Sequence, residues 1–326
     1  MNYEILIIHN DSKKGKTAYS PAVIEPVTWK QKFRGKPSEL KFKVVRKWWS
    51  VFTEGDLVIF RVNGKNVFLG FIFKKSRDKK HQVEVTAYDQ MRYLLNKDTM
   101  YFESMTASEI IKHIVKAHPS MQLGSINDTK IKLKSRLEDN NTYLDMITTA
   151  LDETLIAGGN MCVLYDDYGK LTLKGIHQMV IDDFIIDEDN VGDMDYKTSI
   201  DKDVYSQVKL IHEDKDTKKR EVYISKSSWN INRWGLLQLT EKIENTANAK
   251  ARADSLLKLH SKKLSTLSLK DVKGNINVRA GSMVMVDLHL GDEKVAHYML
   301  VDDVTHKFKE SHYTMDMKVR GGVING

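Results

Sequence analysis

Over the first hundred residues, apolar and polar positions alternate in short bursts. EILIIHN, SELKFKVVR, DLVIFRVN, NVFLGFIFK and HQVEVTAYD are rich in β-branched and aromatic residues and are separated by Gly, Asn and charged turns. This pattern predicts a small antiparallel barrel or sandwich. Near residue 100 the period changes. Thr106 and Glu109 have capping-box spacing, Ile110, Ile111, Ile114 and Val115 form one apolar stripe, and Pro119 stops it, so a helix is expected over 105–118. In NTYLDMITTALDETLIAGG, Leu144, Ile147, Leu151 and Leu155 recur at helical intervals, and Gly158 with Gly159 breaks the run. MCVLYDDYGKLTLKG then reads as a hairpin turning around Asp166, Asp167, Tyr168 and Gly169.

Residues 182–203 are acidic and resemble an exposed arm, with Phe184, Ile185 and Ile186 able to pin one part down. Strand-like runs resume at VYSQVKLIHE and REVYISKS. Ala247, Ala251, Leu256, Leu257 and His260 mark a helix over 246–262, and the last sixty residues return to strands. All four prolines, Pro21, Pro26, Pro37 and Pro119, precede residue 120. The pattern as a whole predicts an α+β chain with two strand-rich ends flanking a mixed α+β middle domain, and two small antiparallel β-barrel domains are one reading of those ends beside sandwiches or generic β-meanders. The expected boundaries are 1–98, 99–200 with the acidic arm 182–203, and 201–326 with an inserted helix.

The two strand-rich ends share a three-part echo. EGDLVIF (54–60), VFLGFIF (67–73) and HQVEVTA (81–87) match AGSMVMV (280–286), YMLVDDV (298–304) and HYTMDMK (312–318) in order and chemistry. In each set a turn glycine, Gly55 or Gly281, feeds an alternating strand, its hairpin partner and a third strand.

The 326 residues leave room for two or three compact units, and 41% hydrophobic with 29% charged residues fits a folded chain. No run of eighteen apolar residues predicts a membrane span, and the first residues lack signal-peptide organisation. Cys162 is the single cysteine, so no intrachain disulfide or multi-cysteine metal site can form, and synthesis in a reducing cytoplasm fits. The net charge of +7 hides an uneven layout: residues 1–100 carry 20 Lys and Arg against 10 Asp and Glu, whereas 182–203 carry 9 acids against 2 lysines. The basic region can attract nucleic acid, an anionic membrane or an acidic protein face, and the acidic segment offers such a face within this chain or a neighbouring copy.

Phosphate-loop, dinucleotide, zinc-protease and nucleophile-elbow motifs are all missing from the sequence. His289 and His297 across the LGDEK turn would make an incomplete metal site, and His113 and His118 share no clean helix face. The acids of 182–203 are a polar stretch rather than a carboxylate pair in a cleft. No catalytic, cofactor or metal residue is assigned. Trp48 with Trp49, and Trp229 with Trp234, are candidate anchors for a partner, with buried core the equal alternative for each.

VTAYDQMRYLLNKDTMYFESMTASEII (85–111), LEDNNTYLDMITTALDETLIAGGNMCVLYDDYGKLTL (137–173) and WNINRWGLLQLTEKIENTANAKARADSLLK (229–258) together resemble the XkdQ/YqbQ-like family of phage tail and defective-prophage baseplate hub proteins. The resemblance implies a non-enzymatic homotrimeric hub of a contractile tail or tail-like particle, without a cofactor. Its two related barrels per chain would form a six-unit ring between a six-fold tail tube and a three-fold spike. Tail tube, spike and LysM-type baseplate or tape-measure proteins are the implied partners. DNA passage through the ring is compatible with this role; specific DNA binding is not implied. The implied location is assembly in the bacterial cytoplasm, then the baseplate. The resemblance places Tyr88, Asp89, Arg92 and Tyr93 after the first barrel, and Trp234, Gly235, Leu236 and Leu237 at the entry to the second half, in the shared architecture. Gly235 reads as a turn requiring positive φ. A baseplate or tail-tip module that binds cell-surface carbohydrate is the competing reading.

Overall fold

The computed structural model describes residues 1–11, 15–45, 52–80, 82–214, 219–244, 246, 248–291 and 293–321. Trp48, Trp49 and Ala247 lie outside these residues. The chain is mostly β, in large antiparallel sheets.

Seven strands occupy the N-terminal region: β1 (Tyr3–Asp11), β2 (Gly15–Tyr19), β3 (Val23–Lys32), β4 (Glu39–Val45), β5 (Leu57–Val62), β6 (Lys65–Arg77) and β7 (Gln82–Tyr88). A middle segment follows with β8 (Lys97–Phe102), α1 (Ala107–Lys116), β9 (Leu123–Ile126), β10 (Arg136–Thr142), α2 (Tyr143–Ile156), β11 (Cys162–Asp166) and β12 (Leu171–Gly175). The acidic stretch contains β13 (Val180–Ile186) and β14 (Asp193–Ser199). Next come β15 (Gln207–Glu213), β16 (Arg220–Lys226), α3 (Ser228–Trp234), β17 (Gln238–Ile243) and α4 (Ala249–His260). The chain closes with β18 (Leu264–Lys273), β19 (Met283–His289), β20 (Lys294–Phe308) and β21 (Tyr313–Arg320).

One hydrogen-bonded path, β14-β18-β21-β20-β3-β4-β7-β6-β5-β1-β2, runs through both ends of the chain, with β19 bridging β20 and β13. Within it the echo becomes a topological repeat. The order β3-β4-β7-β6-β5 recurs as β14-β18-β21-β20-β19, with every neighbouring pair antiparallel. The correspondence extends to irregularities. β6 shifts register against β7 between Ile72 and Lys74, and β20 shifts against β21 between Val301 and Asp303. Gly55 (φ 91°) donates its N–H to the Ile72 carbonyl at 2.8 Å, and Gly281 (φ 89°) donates to Val301 at 2.8 Å. Asp56 Oδ2 accepts from Thr53 N, and Ser282 Oγ accepts from Arg279 N, so each turn is closed by the side chain after its glycine. Equivalent buried pairs include Leu40/Leu267, Phe42/Leu269, Val58/Val284, Phe60/Val286, Val85/Met317 and Ala87/Val319.

The ladders correct part of the sequence alignment. Segment 54–60 matches 280–286 as expected, but 67–73 falls on 296–302 and 81–87 on 313–319. A one-residue slip moves a strand's apolar set to the opposite face, so the third match as read from sequence was out of phase. The halves also differ, since β1 runs antiparallel to β5 whereas β13 runs parallel to β19.

The acidic stretch is not a free arm: β13 pairs with β19 and β14 with β18. Most side chains of β14 are exposed, as suits an edge strand guarded by charge. Between β14 and β18, at the place where six residues join β3 to β4, the chain inserts a small separate layer. Its sheet, β16-β15-β17, packs Val208 and Leu210 against Ala253 and Leu256 of α4. The segment expected as one C-terminal barrel with a helix thus contains this layer, while its sheet also recruits residues before 201.

The middle segment follows its local signals. Thr106 accepts from Glu109 N while the Glu109 side chain accepts from Thr106 N, which forms the capping box, and Ile110, Ile111, Ile114 and Val115 are buried against α2. β11 and β12 pair in the expected hairpin.

Candidate assembly interface

The two halves meet where β20 outruns β19 and pairs with β3. The register runs from Asp303 opposite Lys32 to Phe308 opposite Val27. Phe33 N donates to the Asp302 carbonyl at 2.8 Å, and Phe33 enters the C-terminal core. In return Phe308 enters the N-terminal core beside Val27 and Trp29. At the centre of this seam the Trp29 and His306 rings stack at 4.9 Å, and His306 Nδ1 lies 2.6 Å from the Tyr313 hydroxyl. Burial drives the His306 imidazole down to about 3, with the nearby Arg279 charge adding to the effect. The centre of the seam is therefore uncharged, and the seam is built from main-chain pairing plus stacked rings, with a Lys32–Asp303 ion pair at its end.

A second junction ties the seam to the middle segment. Asp89 caps the 3-10 turn Gln90–Leu95: its Oδ1 accepts from Met91 N at 3.0 Å and its Oδ2 from Ser38 N at 3.1 Å. Burial, then the neighbouring Asp166, raises the Asp89 carboxyl well above the usual carboxylate range. Arg279, half-buried, donates to the Asp166 carbonyl at 2.9 Å and lies 3.9 Å over the Tyr165 ring. One charged residue from each of the three segments thus meets in one cluster.

Tyr88, Arg92 and Tyr93 converge on Phe73, the bulged residue of β6: the two tyrosine rings lie 5.7 and 6.0 Å from it and the Arg92 guanidinium 5.3 Å. Tyr88 also donates its hydroxyl to Glu39 at 3.0 Å. In the C-terminal repeat the bulged residue is Asp302, and Arg320 at the position of Tyr88 holds it at 3.1 Å. The first four residues singled out from sequence thus fix a bulge and a cap.

The second group behaves differently. Gly235 ends α3 with φ +80°, and its N–H donates to Ile231 at 2.9 Å. Ser206 Oγ donates to the Gly235 carbonyl and accepts from Leu237 N. Trp234 meets Trp229 edge-on at 6.4 Å, Arg233 lies over Trp229, and Trp229 (64% exposed) and Leu236 (60%) face outward. The structure does not bring this patch together with the Tyr88 group.

His289 and His297 do not oppose each other: His289 pairs with Lys294 and contacts Glu188, while His297 pairs with Val286. Among the described residues no group of three His, Cys, Asp or Glu could hold a metal ion, and no helix is long and apolar enough to cross a membrane. Sequence reading missed Trp29, Phe33, Ser38, Arg279 and His306. Ser38 alone carried a signal, because it matches Ser265 in the repeat: Asp89 N donates to the Ser38 carbonyl as Gly321 N does to Ser265.

A family model described as YQBQ-like matches residues 27–320, a span that begins in β3 and ends at the last residue of β21. The chain belongs to the YQBQ-like family. Two Bacillus subtilis (strain 168) relatives agree with this membership. The uncharacterized protein YqbQ is 29% identical over 314 residues, covering 93% of this chain and 94% of that protein. The phage-like element PBSX protein XkdQ is 31% identical over 278 residues, covering 82% of each. The 43 kDa tail protein of prophage MuSo2 from Shewanella oneidensis shares the fold, with a TM-score of 0.71 at 10% identity over 97% of this chain and 98% of that one.

Proposed function

We propose that this YQBQ-like chain is the structural hub of a contractile phage tail or phage-derived particle, working as a homotrimer without catalytic chemistry or a cofactor. Its N- and C-terminal repeats, each curved into a barrel-like unit, alternate around one axis, so three chains present six similar units. Such a ring matches a six-fold tube on one face and a three-fold spike on the other. Residues 97–175 and the inserted layer sit outside the repeats as platforms for further baseplate partners, including tape-measure or LysM-type proteins, with the Trp229, Trp234 and Leu236 patch as one contact.

The observation that carries this reading is the repeat itself. Five strands recur in the same order, with the same bulge and the same glycine turn, in two halves whose buried side chains differ at most of the equivalent positions named above. Symmetry matching needs equivalent backbones rather than equivalent sequences. Kinship with the phage-like element protein XkdQ and the fold shared with a prophage tail protein support the same role.

Light scattering coupled to size exclusion, with electron microscopy of the same peak, tests it. The expected species has three times the 37.5 kDa chain mass and forms a ring with six similar lobes. A chain that stays monomeric at high concentration refutes it.

A further inference from the structure

We infer that neighbouring chains join by main-chain pairing of β14 from one chain with the open second half of β6 from the next. This rests on the trimeric reading above and names its contact. Inside one chain, the C-terminal repeat offers the free edge of β20 beyond its bulge, and β3 fills it. The same edge exists in the N-terminal repeat. β6 pairs with β5 only as far as Phe71 and with β7 on its other side through Arg77. Among the described residues no strand lies along the remaining edge of 74–77. The strand equivalent to β3 is β14, which pairs with β18 alone and ends the sheet. Among the described residues each chain therefore has one filled and one vacant copy of the same joint, and a second copy of the chain carries a strand that fits it. Repeating the internal contact generates a head-to-tail interface, the type that closes into rings.

The equivalences fix the register. Lys30 corresponds to Lys197 through the β3–β4 and β14–β18 ladders, and Val301 to Ile72 through the shared bulge. Transferring the β20–β3 pairs then sets Lys74 opposite Ser199, Lys75 opposite Thr198, Ser76 opposite Lys197 and Arg77 opposite Tyr196. The Tyr196 ring meets Arg77 where Trp29 stacks on His306.

Two independent features agree. Phe33 packs over Gly281, where an added Cβ would meet its ring at 3.2 Å, whereas an added Cβ at Gly55 would meet nothing within 4 Å. Ile200, the counterpart of Phe33, is available to occupy that space from the neighbouring chain. The charges also complement. The β6 end and turn read KKSRDKK (74–80), and β14 opens with Asp193 and Asp195 at the end of the stretch DEDNVGDMD (187–195). The basic excess of the N-terminal region then faces the acidic stretch of the adjacent copy.

Paired cysteines test this directly. Ser76→Cys with Lys197→Cys, and separately Lys75→Cys with Thr198→Cys, place thiols across the joint at exposed or half-exposed sites, while the native Cys162 is buried. Within one chain these positions lie on strands separated by six others along the sheet. Mild oxidation of the full-length chain is expected to give covalent dimers and trimers that reducing agent dissolves, with neither single variant doing so. A trimer by light scattering that forms no cross-link with either pair overturns the joint and leaves the trimer standing. A monomer at every concentration, without cross-links, overturns both.

Discussion

Acidification should loosen the seam between the repeats through His306. The folded chain holds this imidazole near 3, against 6.5 for the free side chain. Below 6.5 the unfolded chain takes up a proton that the folded chain refuses, so stability falls as pH drops from 6.5 toward 3. Each pH unit inside that window costs about 1.4 kcal/mol, and passing from pH 7 to pH 5 costs about 2 kcal/mol from this residue alone. Other groups titrate over the same range, Asp89 and Asp166 with the opposite sign, so the informative quantity is a difference. His306→Phe keeps a ring among Trp29, Phe308 and Tyr313 and removes the proton site. It leaves the Tyr313 hydroxyl short of a partner, a cost of about 1–3 kcal/mol that does not vary across this pH range. Urea unfolding at pH 7 and pH 5, at constant ionic strength and followed by intrinsic fluorescence, should show the native chain losing about 2 kcal/mol more than His306→Phe. Equal losses in both proteins would show that the imidazole titrates as freely in the folded seam as outside it.

Asp89→Ala strips the acceptor from Ser38 N and Met91 N and should cost about 1–3 kcal/mol at neutral pH, read by the same unfolding curves. Because the Asp89 carboxyl is raised in the fold, its stabilisation is complete below the ordinary carboxylate range and is lost as pH climbs through the raised value; Asp89→Asn should flatten that decline. Gly55→Ala and Gly281→Ala both force alanine to positive φ, at about 1–2 kcal/mol, but a Cβ at Gly281 would also collide with Val163. Gly281→Ala should therefore melt clearly below Gly55→Ala in calorimetry of the isolated chain.

Sequence legibility followed locality. The α1 capping box, the β11–β12 hairpin and the alternating strands of both ends were written in neighbouring residues, and the structure has them there. β3 escaped because Pro26 sits inside it; the strand tolerates that residue where its register against β4 shifts, between Ile24 and Thr28. β14 escaped because DMDYKTS has no buried face to impose a period, and only the ladder to β18 makes it a strand. These two strands are equivalent edges of the repeats, and the proposed assembly depends on both. The cluster of Asp89, Asp166 and Arg279 was equally silent, since its members are brought together by tertiary packing across more than a hundred positions.

The inserted layer sits where the repeat geometry tolerates it. In the N-terminal repeat the β3–β4 connection takes six residues; in the C-terminal repeat the corresponding connection between Ser199 and Leu264 carries a complete sheet with two helices. That connection begins just past the strand end that the β3–β20 seam uses, where Phe33 is bound in one repeat and Ile200 stands in the other. An insertion within β14 itself would shift its register and destroy equivalence with β3, whereas a layer added after Ser199 leaves the pairing edge intact. The chain could thus acquire a new outward surface, with Trp229 and Leu236 exposed, at little cost to the repeat. The same logic explains why the two bulges are held by different chemistry, aromatic rings on Phe73 and an arginine on Asp302: selection for a common backbone constrains where the strand bends, not which side chains bend it.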